Sequence, residues 1–120
     1  MKKSVLLVDD KPSIAKIIML YLSMYEIHYA ENPIRAINWL CEGHIPDIII
    51  SDLNMPEMSG EEFLHYLKAN ELFSHIPVLI LSSEESSARR IRLFEDGAAD
   101  FIVKPFNPEE LKIRVNRLLK

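Results

Sequence analysis

The chain repeats one pattern five times: a short apolar run, a polar break, then a longer segment with apolar residues at helical spacing. The most uniform run is Ile48-Ile49-Ile50, led by Asp47 and followed by Ser51 and Asp52. It shows no alternation, so it reads as a strand buried on both faces. Ser4 to Val8, Pro77 to Leu81 and Asp100 to Val103 read the same way, and Ile27 to Ala30 is a weaker strand.

The intervening segments predict helices. Pro12 and Ser13 start one that runs to about Met24, with a core stripe of Ile17, Ile18, Tyr21, Leu22 and Tyr25. Asn32-Pro33 opens a second, through Ala36, Ile37, Leu40 and Cys41 to Gly43. Gly60 to about Ala69 carries Phe63, Leu64 and Leu67, with Glu61 and Glu62 near its positive end. Glu85 to Asp96 predicts a polar helix with Ala88, Ile91 and Phe94 inward, stopped by Gly97. Pro108 starts the last, with Leu111, Val115 and Leu118 inward.

Strict alternation of strand and helix implies a parallel sheet covered by helices on both faces, an α/β single domain over residues 1–120. Right-handed crossovers then bring every strand's carboxyl end to one edge. That edge collects Asp9-Asp10, Ala30-Glu31, Asp52, Ser82-Ser83 and Lys104. Asn54, Pro56 and Gly60 force a tight loop after Asp52.

Composition narrows the function classes. At 120 residues, 48% hydrophobic and 27% charged, the chain has ordinary globular make-up. A net charge of −4 argues against a nucleic-acid surface. Cys41 is the only cysteine, which excludes an internal disulfide, and its helical context predicts a buried or half-buried thiol without chemistry. No leader or membrane span is visible, so the cytoplasm is the expected location.

Taken singly, the edge residues are weak signals: Asp52 and Asp9-Asp10 as caps, Ser82 as a loop hydroxyl, Lys104 as a solvated charge. Together they put three acids, a hydroxyl and an ammonium on the edge where open α/β sheets bind ligands. Clustered carboxylates raise one another's pKa unless a cation sits among them. Hard oxygen ligands suit Mg²⁺, which shares its sites with phosphates. A lysine and a hydroxyl can then donate to phosphoryl oxygens. The chemistry implied is phosphoryl transfer, with Asp52, on the central strand, as acceptor.

Val-Asp-Asp at 8–10, Asp-Leu-Asn-Met-Pro-Glu-Met-Ser-Gly at 52–60, Leu-Ser-Ser at 81–83 and Phe-Ile-Val-Lys-Pro-Phe at 101–106 resemble the receiver domain of two-component response regulators. The motifs occur in order and the similarity covers the full chain. The resemblance implies the flavodoxin-like doubly wound fold, with strand order 2-1-3-4-5. It implies a phosphoacceptor signalling domain rather than an enzyme, with self-catalysed phosphoryl transfer and slow autodephosphorylation. Asp52 matches the acceptor, Asp10 the direct Mg²⁺ ligand and Asp9 the acid holding the metal's waters. Asn54 matches the position whose backbone carbonyl binds the metal. Ser82 matches the switch hydroxyl, Ser83 its small neighbour, and Lys104 the phosphate-pairing lysine, followed by a cis bond to Pro105. Phe101 matches the switch aromatic but lacks the hydroxyl of the tyrosine often found there.

The resemblance also implies partners: a sensor histidine kinase or histidine phosphotransfer protein upstream, and an output domain or effector downstream. Ile14, Met19, Leu20 and Pro105 are the expected docking residues on the phosphodonor side. The expected readout face is formed by the fourth helix, fifth strand and fifth helix, with Ser82 moving and Phe101 turning inward; the alternative is a Phe101 fixed in the core. A weak homodimer on phosphorylation stays open, although Ala98-Ala99-Asp100 lacks the paired acids of many DNA-binding regulators. Other classes fit less well. A flavin carrier needs a small-residue phosphate loop where Asp9-Asp10-Lys11-Pro12 stands, and an aspartate phosphatase needs an acid where Asn54 stands. A docking module that is never phosphorylated is the remaining alternative.

Overall fold

The computed structural model describes residues 2–83 and 86–120. Its elements follow in strict alternation: β1 (Ser4–Val8), α1 (Pro12–Tyr21), β2 (Glu26–Ala30), α2 (Pro33–Cys41), β3 (Ile48–Asp52), α3 (Gly60–Ala69), β4 (Val78–Ser82), α4 (Ser87–Glu95), β5 (Asp100–Val103) and α5 (Pro108–Leu118). All the strands are parallel, in the order β2-β1-β3-β4-β5, as the resemblance implied. The expected first residue of the fourth helix, Glu85, lies outside the described residues.

Burial along the strands explains how each one reads. β3 and β4 are central and buried at every position, which is why they carry no alternation. β2 is an edge strand whose burial alternates, and this is why it is faint in the sequence. One face of the sheet packs Leu6, Val8, Ile49, Val78 and Ile80 against α2, α3 and α4. The other packs Val5, Leu7, Ile48, Ile50, Leu79 and Leu81 against α1 and α5.

Side chains of Asn32, Ser59, Ser86 and Asn107 cap α2 to α5, each accepting a backbone N–H of the first turn. Ser59 and Glu62 form a reciprocal capping box. Lys11, before α1, caps nothing with its side chain.

Four sequence expectations need correction. In α1 the buried residues are Ala15 and Ile18, followed by Leu22 just past the helix, while Ile17 and Tyr21 are exposed. Each adjacent apolar pair puts one member about 100° off the packed face. The helix also stops at Tyr21, short of Met24. In α4, Leu93 is the residue buried, and Ala88, Ile91 and Phe94 point to solvent. Half-buried Arg89 and Arg90 lie on the packed side with Leu93, and the Arg90 guanidinium faces the Phe101 ring. Cys41 is exposed, with Sγ 3.9 Å from the Tyr66 hydroxyl.

Candidate functional site

Parallel pairing brings the carboxyl ends of β1, β3 and β5 together. Val8 sits beside Ser51, so Asp9 and Asp10 follow directly alongside Asp52. One oxygen from each of Asp9, Asp10 and Asp52 lies within 4.8 Å of the others. Lys104 reaches in from the end of β5, its Nζ 3.2 Å from Asp52 Oδ1 and 3.8 Å from Asp9 Oδ2. The Lys104–Pro105 bond is cis.

The carboxylate oxygens divide into two kinds. Asp52 Oδ1 accepts the Leu53 N–H at 2.8 Å, and Asp9 Oδ1 accepts the Lys11 N–H at 2.8 Å. Those bonds are the turn-forming work that such acids do anywhere. Asp9 Oδ2, Asp10 Oδ1 and Asp52 Oδ2 are shielded from solvent and accept no hydrogen bond among the described residues. Orphaned buried acceptors are costly unless something else compensates them. Lys104 and Lys11 lie within 4 Å of these oxygens, so among the described residues two ammoniums face three carboxyl groups. Burial, more than any neighbour, pushes the Asp9 carboxyl above its ordinary range, and the Asp52 charge adds to the push. Inward-facing, unpartnered, hard oxygen donors fit a small divalent cation such as Mg²⁺.

The site rests on close packing beneath it. A Cβ on Gly60 would lie 2.3 Å from the Asp52 carbonyl oxygen and 2.7 Å from Leu53 Cα, so only glycine lets α3 start this near the strand end. The Gly60 N–H donates to the Leu53 carbonyl at 2.8 Å and closes the loop that carries Asn54. Asn54 itself is exposed, two residues beyond Asp52. Glu57, in the same loop, takes a left-handed φ of 72°.

Ser82 ends β4, fully buried, and its carbonyl accepts the Lys104 N–H at 2.7 Å. Two residues back along β4, Ile80 pairs with Phe101 of β5. Phe101 is buried in the same cluster as Leu93 of α4, with the Arg90 guanidinium 6.0 Å from its ring centre. α4 is tied to α3 by Arg89–Glu61 at 3.1 Å and by His65–Asp96 at 2.9 Å.

Ile14 and Pro105 are brought together with Ile17 and Phe106 in an apolar groove of about 430 Å³ beside Lys104. Met19 and Leu20 are exposed further along α1 and do not line that groove. Two residues at the site carried no assigned role in the sequence reading. Tyr29 of β2 donates its hydroxyl to the Asp9 carbonyl at 2.7 Å and braces the acid loop. Lys11 stands among the acids. Its place directly after Asp9-Asp10 was the available signal; Tyr29 gave none, because its contact needs the sheet register.

Among the described residues no helix is long and apolar enough to cross a membrane. The family described as "Response regulator receiver domain" matches residues 5–116. "Response regulator Rre1" of Synechocystis sp. is 34% identical over 119 residues, covering 97% of this chain and 51% of that protein. "Sensor histidine kinase TmoS" of Ectopseudomonas mendocina is 34% identical over 116 residues, 96% of this chain but 12% of that protein. The chain thus spans about half or less of these curated relatives. The solved structure of the chemotaxis response regulator CheY4 of Vibrio cholerae superposes with a TM-score of 0.90 at 34% identity, covering 99% of this chain and 100% of that one. With the family match running from β1 into α5 on the same sheet order, the chain belongs to the response regulator receiver domain family of two-component signalling.

Proposed function

We propose that residues 1–120 act as one receiver domain whose Asp52 accepts a phosphoryl group from a phosphohistidine on a sensor kinase or phosphotransfer protein. The observation that carries this reading is the pair of unlike oxygens on Asp52. Oδ1 is held by Leu53 N–H and Lys104, whereas Oδ2 keeps its lone pairs free of hydrogen bonds among the described residues. Asp52 is then the nucleophile. Its bond to phosphorus forms as the phosphorus–nitrogen bond breaks, and the imidazole leaves with the electron pair and takes up a proton.

Asp9, Asp10 and Asp52, with the Asn54 carbonyl in the adjoining loop, would hold Mg²⁺. The ion supplies charge neutralisation of the phosphoryl oxygens and the acids. Lys104 is half-buried and donates a charge-assisted hydrogen bond to the incoming oxygens. Phosphorylation gives Asp52 more charge and more acceptor oxygens, and Ser82 at the next strand end is placed to turn toward them. Phe101 already lies inward, so the readout shifts an existing packing in α4 rather than making a new one. Ile91 and Phe94 of α4 and Ile113 of α5 are exposed and give that face apolar contact points for an output domain, an effector or a weak homodimer.

Incubation with a small phosphodonor and Mg²⁺ should add one phosphate to the intact mass of the wild type and none to Asp52→Asn. Equal labelling of both would remove Asp52 as the acceptor. No labelling of the wild type would leave a module that only docks. On the donor side, the groove at Ile14 and Pro105 seats a helix of the phosphohistidine partner. Ile14→Glu should slow transfer from that partner at least tenfold while small-donor labelling stays normal, the mark of a lost docking contact of roughly 1.4 kcal/mol or more. Unchanged transfer from the partner would move the docking surface elsewhere.

A further inference from the structure

Lys11 belongs to none of the matched motifs, yet it is the more exposed of two lysines at the acid cluster. Its backbone is fixed there by its N–H bond to Asp9 Oδ1. Its Nζ lies 3.6 Å from Asp10 Oδ1 and 3.9 Å from Asp52 Oδ2. Those are two of the three oxygens that accept no hydrogen bond among the described residues. The third, Asp9 Oδ2, faces Lys104.

The two lysines are held differently. The Lys104 side chain is 17% exposed, whereas that of Lys11 is 57% exposed at the mouth of the site. An ammonium on a flexible, mostly solvated stem can leave for water at little cost. A divalent ion bound to Asp10 and Asp52 would meet that ammonium as a like charge at close range. The two cations therefore exclude each other electrostatically.

We propose that Lys11 is a tethered counter-cation that competes with the divalent metal for Asp10 and Asp52 and so sets the metal affinity of this domain. The inference rests on the reading of the acid cluster as a Mg²⁺ site. Lys11 stabilises the metal-free cluster and weakens metal binding by the same interaction, because a ligand that must displace a favourable contact binds less tightly. It is a specificity-determining residue for the metal rather than a group that touches the transferred phosphoryl.

The test is Mg²⁺ titration by calorimetry on the whole domain at low ionic strength, without phosphodonor. Lys11→Met should bind Mg²⁺ about three- to tenfold more tightly than wild type, the range expected for two partly exposed ion pairs. Lys11→Arg keeps the charge and should stay within about twofold of wild type by the same reckoning. Lys3→Met removes the same formal charge at the opposite edge of the sheet and should change nothing. The Lys11→Met gain should shrink in about 0.5 M salt, where the Debye length falls to a few ångströms. In EDTA, Lys11→Met should melt below wild type and gain more from added Mg²⁺. Lys11 is exposed and its side chain caps nothing, so folding is not at stake. Unchanged or weaker binding in Lys11→Met, with wild type binding normally, overturns the inference and leaves the metal reading intact. Equal tightening in Lys11→Arg overturns it too, because charge is then not the cause. If wild type binds no Mg²⁺ at millimolar concentration, the metal reading and the inference fall together.

Discussion

α3 and α4 cover the same face of the sheet and are linked by the Arg89–Glu61 ion pair and the His65–Asp96 contact, yet they are built on opposite terms. α3 buries Gly60, Phe63, Leu64 and Leu67, starts with a capping box and packs its first residue on the Asp52 backbone. α4 buries Leu93 alone among its described residues, with Arg89 and Arg90 half-buried beside it. The helix beside the acids is fixed, and the helix beside Phe101 is held lightly. Elements that move in a response are drawn from the weakly packed end of a fold. The difference therefore separates a rigid chemical edge from a surface able to re-pack.

The same substitution in each helix puts that comparison at risk. Phe63→Ala empties a fully buried ring site and should cost about 3–5 kcal/mol in urea unfolding. Phe94 is 44% exposed, and Phe94→Ala should cost less than about 1 kcal/mol. Similar losses from the two would mean that α4 is as firmly packed as α3.

The acid edge offers a smaller effect of opposite sign. Burial raises the Asp9 carboxyl above its ordinary 3.8, so the folded chain holds that proton more tightly than the unfolded one. The contribution of Asp9 to stability is then fully present below 3.8 and is lost as pH rises through the folded value. At neutral pH without metal its charge works against the fold. Asp9→Asn keeps an acceptor for the Lys11 N–H and should raise the melting point in EDTA at pH 7 by about 3–6 °C, the shift for roughly 1 kcal/mol in a domain of this size. The gain should fade as pH falls toward 4. A lower melting point at pH 7 would show that Lys104 and Lys11 already compensate the charge.

The contrast between the two helices was only half legible in the sequence. The strand ends at Asp9, Asp52, Ser82 and Lys104 were readable because a buried parallel strand stops abruptly at a polar residue. α3 was readable because Phe63, Leu64 and Leu67 are also the residues it buries. In α4 the spacing of Ala88, Ile91 and Phe94 pointed to the wrong face, since the packed side holds Leu93 with half-buried Arg89 and Arg90, which a hydrophobic pattern scores as polar. Ile17 misled in the same way: its apolar side chain lines the groove beside Pro105 instead of the core. Gly60 was legible as a loop breaker, but its actual role is close approach to Asp52, which no local signal carries. The Tyr29 contact with Asp9 and the Lys11 contact with Asp52 cross strands and follow from register, whereas the Lys11 contact with Asp10 is between sequence neighbours.

The division between a chemical edge and a responsive helix is tested most directly by amide chemical shifts, recorded with Mg²⁺ present throughout, before and after adding a small phosphodonor. The account predicts large shifts across 87–95 and at Phe101, small ones along 63–69, and none anywhere in Asp52→Asn. Ser82→Ala should still take the label on Asp52 but lose the shifts in α4. Shifts as large in α3 as in α4, or a response that survives Asp52→Asn, would contradict it.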